Sequence, residues 1–324
     1  MPISRHIRPA LVWVLVATVG ATGASPLPAA LALRDVVVLQ PATGETAGPT
    51  TVLIESDRIV AVGPSAAAVR TEDARTVDAA GLYLLPGLWD LHTHLTTLGI
   101  DGALPLLVTQ GVTGVRELGS VPEAIEELRA RVGGGELLGP RIVHAGPTLN
   151  GAANGPHHRV IESPASARRA ATELQAAGVD LLKTHNATER ETYFALLAAA
   201  REVGLTVAGH IPKTVSPIEA CEAGHASVEH VATIFEGTYT SAHGNELAAF
   251  SALPAWIENE ADALVECFAR HGTLFVPTLR TYELRAHRAA AYDDPDPRLR
   301  YLGGPEASWG DWSPSGADRM EKVI

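Results

Sequence analysis

The sequence predicts an α/β fold: a (β/α)8 TIM-like barrel, incomplete with about seven strands present, behind a small N-terminal β unit. Three observations lead there. Apolar β-rich runs alternate with amphipathic helical segments from Leu84 onward, the helices have legible ends, and no G-x-G-x-x-G follows the first strand to favour a doubly wound sheet. At 324 residues and 46% hydrophobic content, the chain has room for one large globular domain plus a small one.

The N-terminus comes first. Arg5 and Arg8 precede an apolar run from Ala10 to Val19, with small residues at Thr22 and Ala24. That is the order of a secretory signal, too short to span a bilayer comfortably. Residues 1–24 are expected to be removed, cleavage after Ala32 fits equally, and an uncut anchor is the alternative. Export to the periplasm or exterior is the resulting expectation, with no stable membrane insertion after cleavage.

Residues 33–85 read as a small β-sandwich-like unit. Val36–Leu39, Thr51–Glu55, Arg58–Val62 and Arg75–Val77 are short β pieces separated by Pro41, Gly44, Gly48 and Asp57. Residues 86–324 are expected to carry the barrel, with candidate strands at 84–92, 112–118, 141–145, 180–183, 206–210, 227–231 and 274–278. Ser163-Pro164 starts a helix as N-cap and N1, and Gly178 ends it. Ser216-Pro217-Ile218-Glu219 is a capping box, and Gly204 and Gly224 close two more helices. The stretch 293–318, rich in Asp, Pro, Gly and Trp, reads as a loop insertion after the seventh strand.

A formal charge of -12 leaves no excess of Lys and Arg to neutralise a phosphate backbone, so a nucleic-acid partner is not expected. Cys221 and Cys267 could pair in an exported protein. Both fall in segments read as outer-layer helices, however, and buried free thiols are the expectation. A homo-oligomer is compatible with the sequence, which does not specify one.

The chemistry lies at the strand ends. Leu85-Pro86-Gly87-Leu88-Trp89-Asp90-Leu91-His92-Thr93-His94 is a strand closing in two histidines. Side chains alternate across a strand, so these two leave one face about 7 Å apart at their base. The fourth candidate strand ends in Lys183, the fifth in His210 and the sixth in His230. One histidine on an apolar strand is more often a satisfied core residue than a ligand. Four, with a lysine, at the same end of successive strands point to divalent metal, zinc first among the ions imidazole suits. Lysine as an ammonium repels such ions, so Lys183 either stays outside the metal sphere or becomes a carbamate; a strand-end salt bridge is its structural reading.

These motifs, together with Gly-Val-Asp-Leu-Leu-Lys, Gly-His-Ile-Pro and Ala-Gly-His-Ala-Ser-Val-Glu-His, resemble the metal-dependent amidohydrolase superfamily, in its imidazolonepropionase-like and Xaa-Pro dipeptidase-like branch. The resemblance runs from about Leu33 almost to the C-terminus. It implies His92 and His94 on one metal, His210 and His230 on another, and Lys183 as a carbamate bridge. It also implies water attack on a C–N bond of an amide, cyclic amide or dipeptide-like substrate, a small molecule or short peptide. The aspartate that ends the eighth strand in this family is missing, since the sequence stops at Ile324 first, so no catalytic residue is assigned. Asp293, Asp294, Asp296, Asp311 and Asp318 lack strand context. The sequence is therefore expected to be either part of a longer protein or an inactive relative that binds metal without its proton shuttle. A site with one metal is the remaining alternative.

Around this cluster, Asp90 is a candidate acceptor for an imidazole N–H, with a strand-end hydrogen bond equally expected. His157, His158, Arg159, His185, Tyr239 and His243 are candidate pocket residues or solvated loop residues. His144 is expected in core packing, His225 as structural, and His6 belongs to the signal.

Overall fold

The computed structural model describes residues 30–63, 74–96, 104–153, 155–236, 253–259 and 261–281. The expected signal, Tyr239, His243 and the stretch 293–318 with its aspartates therefore lie outside the described residues. The chain divides into two compact units between Gly87 and Leu88. No helix among the described residues is long and apolar enough to cross a membrane.

The first unit is one mixed five-stranded sheet. Its strands are β1 (Ala30–Leu39), β2 (Thr46–Glu55), β3 (Arg58–Gly63), β4 (Arg75–Asp78) and β5 (Tyr83–Leu84). β1 is central: it pairs antiparallel with β2 and parallel with β4 and β5, while β2 and β3 form a hairpin. Val36, Val52 and Ala79 make its small core.

The second unit alternates strands and helices. In order come β6 (Leu88–Thr93), α1 (Leu104–Thr109), β7 (Val112–Glu117), α2 (Pro122–Gly133), β8 (Arg141–His144), β9 (Thr148–Asn150), β10 (His158–Val160) and α3 (Pro164–Ala176). Then follow β11 (Leu182–Thr184), α4 (Arg190–Glu202), β12 (Val207–Gly209), α5 (Pro217–Glu222), β13 (Ser227–Glu229), α6 (Val231–Glu236), α7 (Leu253–Asn259), α8 (Ala261–His271) and β14 (Leu274–Val276). The strands are parallel in two sheets, β6-β7-β8 and β10-β9-β11-β12-β13-β14. No closed barrel is formed among the described residues. β9 and β10, each three residues long, were not expected from the sequence.

The division between the sheets has a local cause. Gly146, at φ 63°, turns the chain after β8, so that β8 pairs with β7 while β9 pairs with β11. The seam remains bonded, because the Asp180 amide donates to the His144 carbonyl at 2.9 Å. Strands β11, β12 and β13 are buried along their whole length, as in a parallel sheet covered on both faces. Leu149, Leu182, Val207 and Val228 pack there against Ala170 and Leu174 of α3 and Leu196 of α4.

The expected helix ends are present. Ser163 and Ser216 both close reciprocal capping boxes, and Gly178, Gly204 and Gly224 follow their helices at positive φ. The cysteines depart from expectation. Cys221 of α5 and Cys267 of α8 form a disulfide, because these helices lie side by side with the two Cα atoms 6.4 Å apart, within the span a bridge requires. That proximity joins positions 46 residues apart and leaves no local trace in the sequence.

Candidate functional site

The strand ends bring four histidines into one cluster. The His92 ring lies 5.2 Å from that of His94 and 4.4 Å from that of His230, and His230 lies 4.9 Å from His210. The Lys183 side chain is buried and its charge acts on all four. The five residues singled out from the sequence therefore lie close to one another.

Their arrangement is set residue by residue. Lys183 is seated by Gly209 on the neighbouring strand, at φ 124°: a Cβ there would fall 2.7 Å from Lys183 Cδ and 2.4 Å from the Thr184 carbonyl oxygen. Gly119, at φ 147°, gives room to His94 in the same way; a Cβ would meet Thr148 Oγ1 at 2.7 Å and the His94 ring at 3.3 Å. His230 follows β13 at φ 68°, uncommon outside glycine, and this turn breaks the strand's alternation. Consecutive residues Glu229 and His230 consequently both reach His92.

Two hydrogen bonds fix where the first pair carries its protons. His92 Nδ1 lies 2.8 Å from Glu229 Oε2, and a carboxylate can only accept, so the proton sits on Nδ1. The Nδ1 edge of His94 lies against Gly119, whose backbone accepts from the ring. Both Nε2 atoms then carry lone pairs, and they face each other at 3.3 Å. Two acceptors so placed have no hydrogen to share. A tetrahedral ion with metal–nitrogen bonds of about 2.0–2.1 Å has edges of about 3.3–3.4 Å, which this pair matches. Nδ1 of His210 is buried without a hydrogen-bond partner among the described residues, a further free nitrogen. Neutral imidazoles with free nitrogens are the donor type zinc takes, and the His92–His94 pair has the spacing of two such donors. Among the described residues, no group of three or more His, Cys, Asp or Glu is placed so that it could hold a metal ion together.

Burial keeps these rings neutral. His92 and His210 are held far below the usual histidine range, by burial first and then by the Lys183 charge. His94 is lowered to about 4 for the same reasons, and His230 to about 3 by burial and the neighbouring His92. Burial also brings the Lys183 amine down to about 8.

The same burial predicts an acid-sensitive fold in the metal-free chain. His94, His185 and His225 titrate near 4 and His230 near 3, against an ordinary 6.5. Below pH 6.5 the unfolded chain takes up protons that the folded chain refuses, so stability falls as pH drops toward 4. Glu117, raised by burial from 4.5 to about 7, acts the other way, losing stability as pH rises through that window. Nine histidines with lowered values, His92 and His210 among them, oppose this one acid in that window, and each net proton is worth about 1.4 kcal/mol per pH unit. The urea midpoint is expected to drop between pH 7 and pH 5; a rise would contradict neutral histidines.

Several neighbouring residues occupy places the sequence did not reveal. Asp90 takes the second of its two expected roles, a strand-end hydrogen bond: its carboxylate accepts from the His92 amide at 3.1 Å rather than from an imidazole. The supporting carboxylate is Glu229, which also accepts from Arg116 Nη2 and from Ser227 Oγ, both at 2.6 Å. Glu117, fully buried, accepts from Thr93 Oγ1, the Leu95 amide and Ser120 Oγ, fixing the turn after His94. Thr278 Oγ1 lies 2.7 Å from His230 Nδ1. Arg116-Glu117 at one strand end and Glu229 beside His230 were the available signals, charged residues where such strands present their chemistry.

Of the other candidates, His185 stacks on His210 with centroids 4.1 Å apart, and His158 lies 5.7 Å from His185 and 4.6 Å from His157. Arg159 pairs with Glu173 of α3. His144 bonds Glu126 of α2 at 2.8 Å, and buried His225 bonds the Tyr193 hydroxyl at 3.0 Å. Both are structural.

No protein-family model matches the chain. It is 33% identical to the adenine deaminase of Rubrobacter xylanophilus over 107 residues, 31% of this chain and 18% of that protein. It is 34% identical to the imidazolonepropionase of Acidiphilium cryptum over 147 residues, 45% of this chain and 31% of that protein. The matches thus span about a fifth to a third of these curated relatives. A prolidase solved with N-methylphosphonate-L-proline shares the fold, with a TM-score of 0.61 at 19% identity, covering 91% of this chain and 72% of that one. The sequence relatives and the shared fold both support the amidohydrolase superfamily for this chain.

Proposed function

We propose that this chain is a metal-dependent hydrolase of a C–N bond, acting on an amide, cyclic amide or dipeptide-like small molecule, with a site built on a (β/α)8-type barrel. The observation that carries the reading is the facing lone pairs of His92 and His94, 3.3 Å apart. His92, His94, His210 and His230 would hold one or two divalent ions, zinc first among them. A bound ion of this kind supplies Lewis acidity for activating water and polarising a carbonyl.

The protein's own residues supply the rest. As an ammonium, Lys183 would share a pocket of neutral imidazoles with Arg116, and only Glu229 would offset the two positive charges. Such a pocket disfavours a divalent cation. The lowered amine is suited to react with CO2, giving an anionic carbamate that reverses the local charge. His185 and His158, lining the approach to His210, would meet the substrate as neutral rings. Export fits the Cys221–Cys267 bridge, since disulfides persist in oxidising compartments. The relatives named for adenine deamination and imidazolonepropionate chemistry, and the prolidase of like fold, support a C–N bond as the target.

Zinc-loaded, desalted protein should retain one or two ions and hydrolyse at least one of a panel of N-acyl amino acids, cyclic amides and dipeptides, and a chelator should remove both properties. Retained metal without turnover would favour the inactive, metal-binding reading. A protein that retains no metal would defeat both.

A further inference from the structure

We infer that Glu229, held in orientation by Arg116 and Ser227, is the positioning element that assigns the His92 proton to Nδ1 and so keeps its Nε2 lone pair beside that of His94. The inference rests on the metal-site reading above, but makes its own claim about the metal-free protein.

The direction of each hydrogen bond in this network follows from two groups, a guanidinium that only donates and a carboxylate that only accepts. Arg116 only donates. Its Nε donates to the Leu91 carbonyl at 2.8 Å, which anchors it to β6. Its Nη2 donates to Glu229 Oε1 at 2.6 Å and to Ser227 Oγ at 3.1 Å. Ser227, already accepting from Arg116, must point its own hydrogen at Glu229 Oε1, 2.6 Å away. One carboxylate oxygen is thereby saturated with donors. The other, Oε2, remains for His92, whose ring must donate from Nδ1 at 2.8 Å. Glu229 is fully buried, so water does not scramble this order.

The arrangement makes an isosteric substitution informative. In Glu229→Gln, the side-chain oxygen must face Arg116 and Ser227, which leaves the NH2 facing His92 Nδ1. His92 can then only accept there, and its proton moves to Nε2. Nε2–H and the His94 Nε2 lone pair would hydrogen-bond to each other and close the pair against a cation. Changing Arg116→Met in the same chain lifts the constraint. The introduced amide is then free to rotate its oxygen toward His92, and the original tautomer returns.

The test uses the full chain with zinc as probe and reads two quantities. The first is the His92 tautomer in metal-free protein, from imidazole ¹⁵N shifts assigned by difference against His92→Ala. The second is zinc affinity by calorimetry. The expected results are a proton on Nδ1 in the parent, a proton on Nε2 with about 10–100-fold weaker zinc binding in Glu229→Gln, and recovery of both in the double variant. A purely structural role for Glu229 predicts no tautomer change and no recovery. A proton on Nε2 in the parent, or on Nδ1 in folded Glu229→Gln, overturns the inference. If the parent binds no zinc, the metal reading fails while the tautomer comparison still decides this one. Should Glu229→Gln not fold, the parent tautomer alone remains decisive.

Discussion

Replacing His92 and His94 together by alanine is expected to remove bound zinc and hydrolysis while leaving the fold in place. The two rings face each other through their Nε2 atoms and are held on their far sides by hydrogen bonds at Glu229 and Gly119. Loss of a single outer partner of a metal-bound histidine weakens affinity about 10–100-fold, so losing two ligands outright should exceed about 10³-fold. The fold should tolerate the change. Glu229 keeps its bonds to Arg116 and Ser227, and no buried charge is left without a partner. Metal content after zinc loading, hydrolysis of any substrate found for the parent, and a thermal melt would be measured together. Turnover surviving in the double variant would remove the pair from the mechanism.

The second large effect concerns stability. Changing both Cys221 and Cys267 to serine should lower unfolding free energy by about 4 kcal/mol, the chain-entropy value for a loop of this size. The bridge spans 46 residues and closes a loop that contains β13 and His230. It ties α5 to α8 across the strand carrying one quarter of the histidine cluster. A urea midpoint clearly below that of the oxidised parent, and matched by the parent in reductant, is the expected result. Equal midpoints for oxidised parent and variant would show that the bridge contributes nothing in solution.

The sequence exposed the ligands better than their supports, for a physical reason. His92, His94, Lys183, His210 and His230 are each local features, a polar residue ending an apolar run, and repetition along the chain made them stand out. Glu229, Arg116 and Thr278 act across strands, and their partners depend on which strand lies opposite. Alternation would also have sent Glu229 and His230 to opposite faces. The positive φ of His230 defeats that rule, and nothing in Ser-Val-Glu-His announces it. Asp90 offered two equal roles in the sequence, and only the folded strand selects between them: its carboxylate is spent on its own strand. The cysteines belong to the same class, because pairing follows from helix packing rather than spacing. β9 and β10 were hidden because three residues in a glycine- and asparagine-rich stretch carry no readable period.

The close approach of Gly209 to Lys183 has a bearing on how such chains diversify. A side chain at 209 would need space the lysine occupies, and it would also meet the Thr184 carbonyl oxygen at a position whose φ of 124° suits glycine. The dependence therefore runs one way. A lineage could give up the lysine and keep the glycine, but none could keep the lysine and lose the glycine. Related chains should carry glycine at this place more widely than the buried amine, whatever their substrates.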